Sequence, residues 1–198
     1  MRQKILDAIV GKYDLWRIFS VETERCAEPD GAFRIDEISD LGIFQEVGLD
    51  ESLRRSNWHR PGAMGFKAMD GDELAGVCWF WPGPLLGGRN VGRQPEDCAE
   101  LIQVTVGEIN RGKGLAQRLI VYGAWRMKEM GYRRLLAQVW HSNESSIRAF
   151  QKAGWEQVGW FCQIQPRWLG VRVCYRGRDP HLFSSAAPIE FEKLEKGA

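Results

Sequence analysis

The chain reads as an α/β protein whose mixed sheet is flanked by helices, and three features of its 198 residues carry that reading. Residues 99–106 are a short, mostly apolar and β-branched run, as a buried strand should be. After a glycine-bearing turn, Leu115, Leu119, Ile120, Gly123, Ala124 and Met127 recur at steps of three and four, with Gln117, Arg118, Arg126, Lys128 and Glu129 on the opposite face. Residues 133–141 and 143–154 then repeat the order of strand and helix. This succession implies a mixed sheet in which a central strand ends in a turn suited to an anion.

From the N-terminus, residues 2–11 suit a short helix, and residues 14–21 alternate like a strand with Leu15, Ile18 and Phe19 as apolar members. Residues 23–31, with Pro29-Asp30-Gly31, are a loop, and residues 33–38 read as the first core strand. Ser39 is placed to cap a helical region reaching about residue 56, with Leu41, Phe44, Val47 and Leu53 as its apolar stripe. Residues 66–69 and 74–81, joined by Asp70-Gly71-Asp72, read as a hairpin in which Trp79 and Trp81 share one face and Phe80 takes the other. Gly131 and Gly154 each stand where a helix ends in a left-handed residue. Residues 157–165 and 171–178 make a final strand pair, and within the polar tail residues 189–194 suit a short helical turn. The whole, 1–198, reads as one domain with an N-terminal extension over 1–30 and a tail over 180–198.

Hydrophobic residues at 44% and charged residues at 27% suit a globular chain, and 27 basic against 26 acidic residues leave a net charge of +1. That balance supplies no field for a nucleic-acid or membrane partner. The first residues carry charges without an apolar h-region, and no apolar run is long enough to span a bilayer. Five scattered cysteines without a Cys-x-x-Cys pair, and three histidines, read as reduced thiols in a cytoplasmic protein with no metal site. Oligomeric state is not encoded in any motif; a homodimer is compatible with the sequence.

Residues 111–116, Arg-Gly-Lys-Gly-Leu-Ala, sit where the strand becomes the helix. Glycines there clear side chains from amides that have no intrahelical partner, and those donors, with the positive end of the helix dipole, suit a phosphate. The plainer alternative is a tight turn with glycines for geometry and two solvated cations. A Walker loop needs Ser or Thr after Gly-Lys, where Gly114 stands, and a dinucleotide fingerprint needs a third glycine where Gln117 stands. Neither template fits.

The pattern Arg111, Gly114, Ala116 resembles the acyl-CoA-binding signature of the GNAT N-acyltransferase superfamily. A second family block is similar to Asn143, Ser146, Ile147, Phe150, Gly154 and Trp155, in that order, and the two blocks with their strands cover about residues 74–177. Without the family, Ser142 or Asn143 is simply a helix cap. The resemblance implies a GNAT-like, mostly antiparallel sheet with splayed central strands and a pantetheine arm in the gap. It implies that backbone groups of Val104 and Val106 pair with the pantetheine amides, and that Arg111, Gly112, Lys113, Gly114, Leu115 and Ala116 hold the pyrophosphate. Asn143, Ser146 and Phe150 would complete the coenzyme site. The implied co-substrate is acetyl-CoA or another acyl-CoA, without metal, and the acceptor a small-molecule or peptide amine, with O-acylation also open.

The implied chemistry is direct attack of an amine on the thioester, which needs a base, donors for the oxyanion and an acid for the thiolate. Glu100, on the strand leading into the motif, is the preferred base, because a carboxylate in an apolar strand is costly unless paired or functional; the alternative is an edge residue facing water. Glu108 and His141 are weaker candidates. Many family members have Tyr where this chain has Phe150, which cannot donate a proton. Either Tyr175 or water supplies it, or the thiolate leaves unassisted, or the chain binds acyl-CoA without turnover. Nine tryptophans suit core and sheet packing or an aromatic acceptor pocket, and the Gly/Pro-rich stretch between Trp81 and Cys98 suits a binding lid or a plain connector.

Overall fold

The structure, a computed structural model, describes residues 12–29, 33–83, 96–165, 171–176 and 191–193. The helix expected over residues 2–11 and most of the stretch between Trp81 and Cys98 lie outside these residues. Among those described, nine strands form one sheet: β1 (Lys12–Glu22), β2 (Arg34–Glu37), β3 (Met64–Asp70), β4 (Glu73–Trp81), β5 (Cys98–Val106), β6 (Arg134–Trp140), β7 (Glu156–Gln165), β8 (Val171–Arg176) and β9 (Phe191–Lys193). Their spatial order is β2-β3-β4-β5-β6-β1-β7-β8-β9. Every pair is antiparallel except β5 with β6.

Helices α2 (Leu115–Glu129) and α3 (Glu144–Lys152) cover one face of the sheet. All six residues of the sequence stripe on α2 are buried, packed with Phe19, Phe66, Phe80, Leu101, Leu135, Ile147 and Phe150. The other face over β3 and β4 carries a second apolar cluster of Ile43, Phe44, Leu53, Leu74, Val77 and Trp79. Trp79 and Phe80 thus lie on opposite faces, as strand alternation requires. β1, inserted between β6 and β7, is buried on both of its faces at Ile18 and Phe19.

Three local expectations are corrected. The region 39–56 is not one helix: Asp40 caps a 3₁₀ turn at Leu41–Gln45, Gly48 takes φ 86°, and Asp50 caps a separate short helix α1 (Glu51–Arg54). A left-handed residue between two Asp caps breaks the helical repeat, which leaves Val47 fully exposed. Residues 34–37 form the edge strand of the sheet rather than its first core strand. Phe191–Lys193 extends β8 as a strand where a helical turn was expected, because an edge offered a ladder that local propensity does not encode.

β5 and β6 pair only from Cys98↔Arg134 to Leu101↔Ala137. On its other side β5 shifts register against β4, with Trp79 opposite Gln103 and Phe80 opposite Leu101, so Ile102 is a bulged residue. A bulge sharpens local twist, and it falls where β5 parts from β6. The central strands are therefore splayed, as the family resemblance implies.

The close seat of α2 on β4 depends on Gly123, where a Cβ would meet the Phe80 ring at 2.4 Å and the Cys78 sulfur at 3.3 Å. Ala is favoured over Gly in a helix by about 1 kcal/mol, whereas overpacking a rigid core costs about 1–3 kcal/mol. Because Phe80 is wholly buried and cannot swing away, Gly123→Ala should lower the chemical-denaturation midpoint, and an unchanged or raised midpoint would disprove the tight seat.

Candidate functional site

The turn between β5 and α2 is held from below. Gly107 donates its N–H to the Ala75 carbonyl at 2.9 Å, and a short 3₁₀ turn follows at Glu108–Asn110. Asp50 accepts the Glu108 N–H at 2.8 Å through one oxygen and the Ser52 N–H at 2.7 Å through the other. The bond from the Glu108 N–H, with those from Ser52, holds the Asp50 carboxyl low, at about 2. One carboxylate so joins α1 to the loop that carries the glycines, a link with no local signature beyond a capping Asp.

Gly112 and Gly114 both have φ 78°, and a Cβ at either would meet nothing within 4 Å. Glycine is needed there for the left-handed backbone and not for space. Gly114 is the N-cap of α2 and no side chain caps the helix, so its first-turn amides keep their donors for another acceptor. The turn's cations are tied to protein oxygens. Arg111 reaches the Val106 carbonyl at 3.4 Å and Glu108 at 3.5 Å, while Lys113 donates to Asn110 Oδ1 at 2.8 Å and lies 3.9 Å from Asp70.

In front of this helix terminus opens a cavity of about 590 Å³. Val104, Val106, Arg111, Gly112, Gly114, Leu115, Ala116, Asn143, Ser146 and Phe150 all line it, and Lys113 does not, because its ammonium is turned to Asn110 and Asp70. Its floor includes Ile120 and Phe150, and its rim carries Arg111, Arg148 and Lys152. Sequence reasoning missed Ser145, Arg148 and Lys152. Their spacing of three and four residues on α3, one helical face, was the available signal.

Asn143 is the N-cap of α3, its side-chain oxygen accepting the Ser146 N–H at 3.2 Å and the Ser145 hydroxyl at 2.9 Å. Phe150 is a core residue, stacked on Phe19 with ring centres 5.5 Å apart and edge-on to Trp155 at 5.0 Å. Glu100 does not reach the cavity. Its neighbours Ala99 and Leu101 belong to the helix-covered core, so its side chain is on the opposite face, where it is 4% exposed. Glu108 is at the exposed surface beside Arg111. His141 follows β6, with its ring 5.1 Å from that of Trp140. Tyr175 is in β8, four strands from β5 and so about 19 Å away across the sheet.

Residues 30–155, well over half of the chain, match the profile of the Acetyltransferase (GNAT) family. The chain belongs to that family. The match starts earlier than the two motif blocks and omits β1 and the three strands after α3. Among curated proteins, this GNAT chain is 33% identical over 85 residues to a mycothiol acetyltransferase of Corynebacterium efficiens, an alignment covering 43% of the chain and 25% of that protein. Its fold is similar to a GNAT-family protein from Novosphingobium aromaticivorans, with TM-score 0.56 at 16% identity over 77% of this chain and 64% of the other. A GCN5-related N-acetyltransferase from Kribbella flavida has TM-score 0.51 at 11% identity, over 74% and 57%. The chain therefore spans a quarter of that curated relative and less than two thirds of either structure. Among the described residues no helix is long and apolar enough to cross a membrane, and no cluster of three metal-ligating side chains occurs.

The depressed Asp50 carboxyl sets a pH dependence for the loop. Its folded value of about 2 lies below the ordinary 3.8, so its stabilising effect is complete above about pH 4 and is lost as pH falls from there through about 2. Asp50→Ala should lower the melting temperature at pH 7, with loss of the cap alone worth about 1 kcal/mol, and should flatten the fall in stability between pH 4 and 2. Parallel acid-unfolding curves for the two proteins would disprove this role.

Proposed function

We propose that this GNAT chain is an acyl-CoA-dependent N-acyltransferase, with acetyl-CoA the foremost co-substrate and a small-molecule or peptide amine as acceptor. The observation that carries this is the cavity bounded at once by the uncapped N-terminus of α2 and by the part of β5 that has left β6. The pyrophosphate of a coenzyme would meet the amides of residues 112–116, with Arg111, Arg148 and Lys152 at the rim supplying charge. Beyond Leu101 the edge of β5 toward β6 has no strand partner among the described residues. Its backbone donors and acceptors suit the amides of a pantetheine arm, and its N–H groups suit an oxyanion.

The reaction would be attack of the acceptor nitrogen on the thioester carbonyl, with the amine losing a proton and the thiolate departing. Glu100, buried on the far side of β5, would accept that proton, with acceptor and coenzyme approaching from opposite faces through the splay. Phe150 offers no proton to the thiolate. A thiol of ordinary pKa leaves unprotonated at pH 7 with a penalty of only about 2 kcal/mol, which is compatible with turnover. A second reading, an acyl-CoA-binding protein without turnover, is favoured by that same Phe150, whose packing against Phe19 and Trp155 makes it a core residue.

Acetyl-CoA should raise the melting temperature, and Arg111→Glu and Gly114→Trp should each remove most of that shift, by repulsion and by blocking the amides. An equal shift in both variants would take the pyrophosphate away from this turn. With a panel of amines and free thiol as the readout, Glu100→Gln should lower the turnover number by 100-fold or more while leaving acetyl-CoA binding intact. Stabilisation by acyl-CoA without acceptor-dependent thiol release in the wild type would favour the second reading.

A further inference from the structure

The face of the sheet that carries Glu100 also carries a guanidinium that the coenzyme site does not use. The segment from Asn57 to Ala63 crosses over β4 as two tight turns. Asn57 Oδ1 accepts the His59 N–H at 3.1 Å, and Ala63 donates its N–H to the Arg60 carbonyl at 2.9 Å across Pro61 and Gly62, the latter at φ 87°. Pro followed by a left-handed Gly is the signature of a type II turn, so Arg60 starts from a fixed backbone. Its guanidinium carbon is 5.1 Å from the Trp58 ring centre and 5.3 Å from that of Trp81. Trp81 is itself pinned, since a Cβ on Gly83 would lie 2.4 Å from its ring.

Arg60, like Arg17, Arg118 and Arg133, takes no part in the ion pairs among the described residues. Cation–π contact with two indoles holds a guanidinium without using up its N–H groups, and a guanidinium takes a carboxylate in two parallel hydrogen bonds. Trp81 is the register partner of Glu100, and both side chains lie on the same face. The guanidinium against Trp81 of β4 and the buried carboxylate of Glu100 on β5 therefore belong to one face of the sheet, on adjacent strands.

We propose that Arg60 is the anchor for a carboxylate on the acceptor, and hence that the acceptor is a free amino acid rather than a plain amine or a polyamine. The ammonium end meets Glu100 and the carboxylate end meets Arg60, with Trp58 and Trp81 holding the guanidinium in place. This rests on the acyltransferase reading above for the role of Glu100; the anchoring by Arg60 is tested separately.

With acetyl-CoA and free thiol as the readout, the twenty common amino acids are compared with their methyl esters, which keep the side chain and amine and remove the negative charge. The wild type should favour the free acid of its preferred amino acid over the ester by tenfold or more in kcat/KM. Arg60→Gln should bring that ratio close to one, through a KM for the free acid raised roughly 10- to 100-fold, and Arg60→Lys should restore part of it. An equal loss on acid and ester, or a wild type indifferent to the ester, would overturn the anchor and leave Arg60 as a packing residue. If no acceptor releases thiol, the acyltransferase reading fails. Calorimetric titration of the same amino acids into the CoA-saturated protein then decides: binding lost in Arg60→Gln upholds the anchor, and no binding by either protein overturns it.

Discussion

Parallel strands β5 and β6 share a ladder of only four residue pairs, and the reach of that ladder governs what both faces of the sheet can do. A longer ladder would satisfy the β5 edge with β6 and close the sheet. The bulge at Ile102 instead turns β5 away just after Leu101, while β4 continues to hold its other edge as far as Val106. Backbone groups on one side of β5 beyond Leu101 thereby have no strand partner among the described residues. The cavity against α2 and α3 opens beside that gap.

At the cavity end, the donors without a protein partner among the described residues are those of the backbone at the α2 N-terminus. Arg111 and Lys113 are held by oxygens of the protein itself, so they shape the turn as much as they charge it. The donors left over are the amides of the first turn of α2, aimed by two left-handed glycines and steadied through Asp50 from a helix that begins more than fifty residues earlier. An anion site made this way places few demands on side chains and many on geometry. Charge at the rim comes partly from α3, whose N-terminus is capped by Asn143.

Much of the coenzyme side was legible beforehand because its signals are local. The stripe on α2, the glycines that end both helices and the Asn143 cap each depend on residues within a turn or two of one another, and each has the structure its pattern implied. The Lys113 side chain does not line the cavity, because proximity in sequence to a turn does not say which way a long side chain folds. Arg148 and Lys152 went unread because their shared helical face matters only once α3 is known to lie beside α2. The region 39–56 was merged into one helix because its apolar spacing is compatible with helix, and the break is made by Gly48 and two Asp caps whose weight only the folded backbone reveals.

Taken alone, the sequence determined the class of fold and the glycine turn before a long amphipathic helix, and it carried the resemblance of two motif blocks to the GNAT pattern. The fold class and the turn follow from periodicity and backbone restriction, which act over a few residues, and the link between the two blocks from their resemblance to the GNAT pattern. Tertiary structure decided where β1 inserts, that β5 and β6 part after Leu101, that Glu100 faces away from the cavity against α2 and α3, and that Arg60 contacts two indoles on the Glu100 face. Each of these is a relation between strands or loops distant in sequence, set by which ladder edges and apolar faces find one another when the chain collapses.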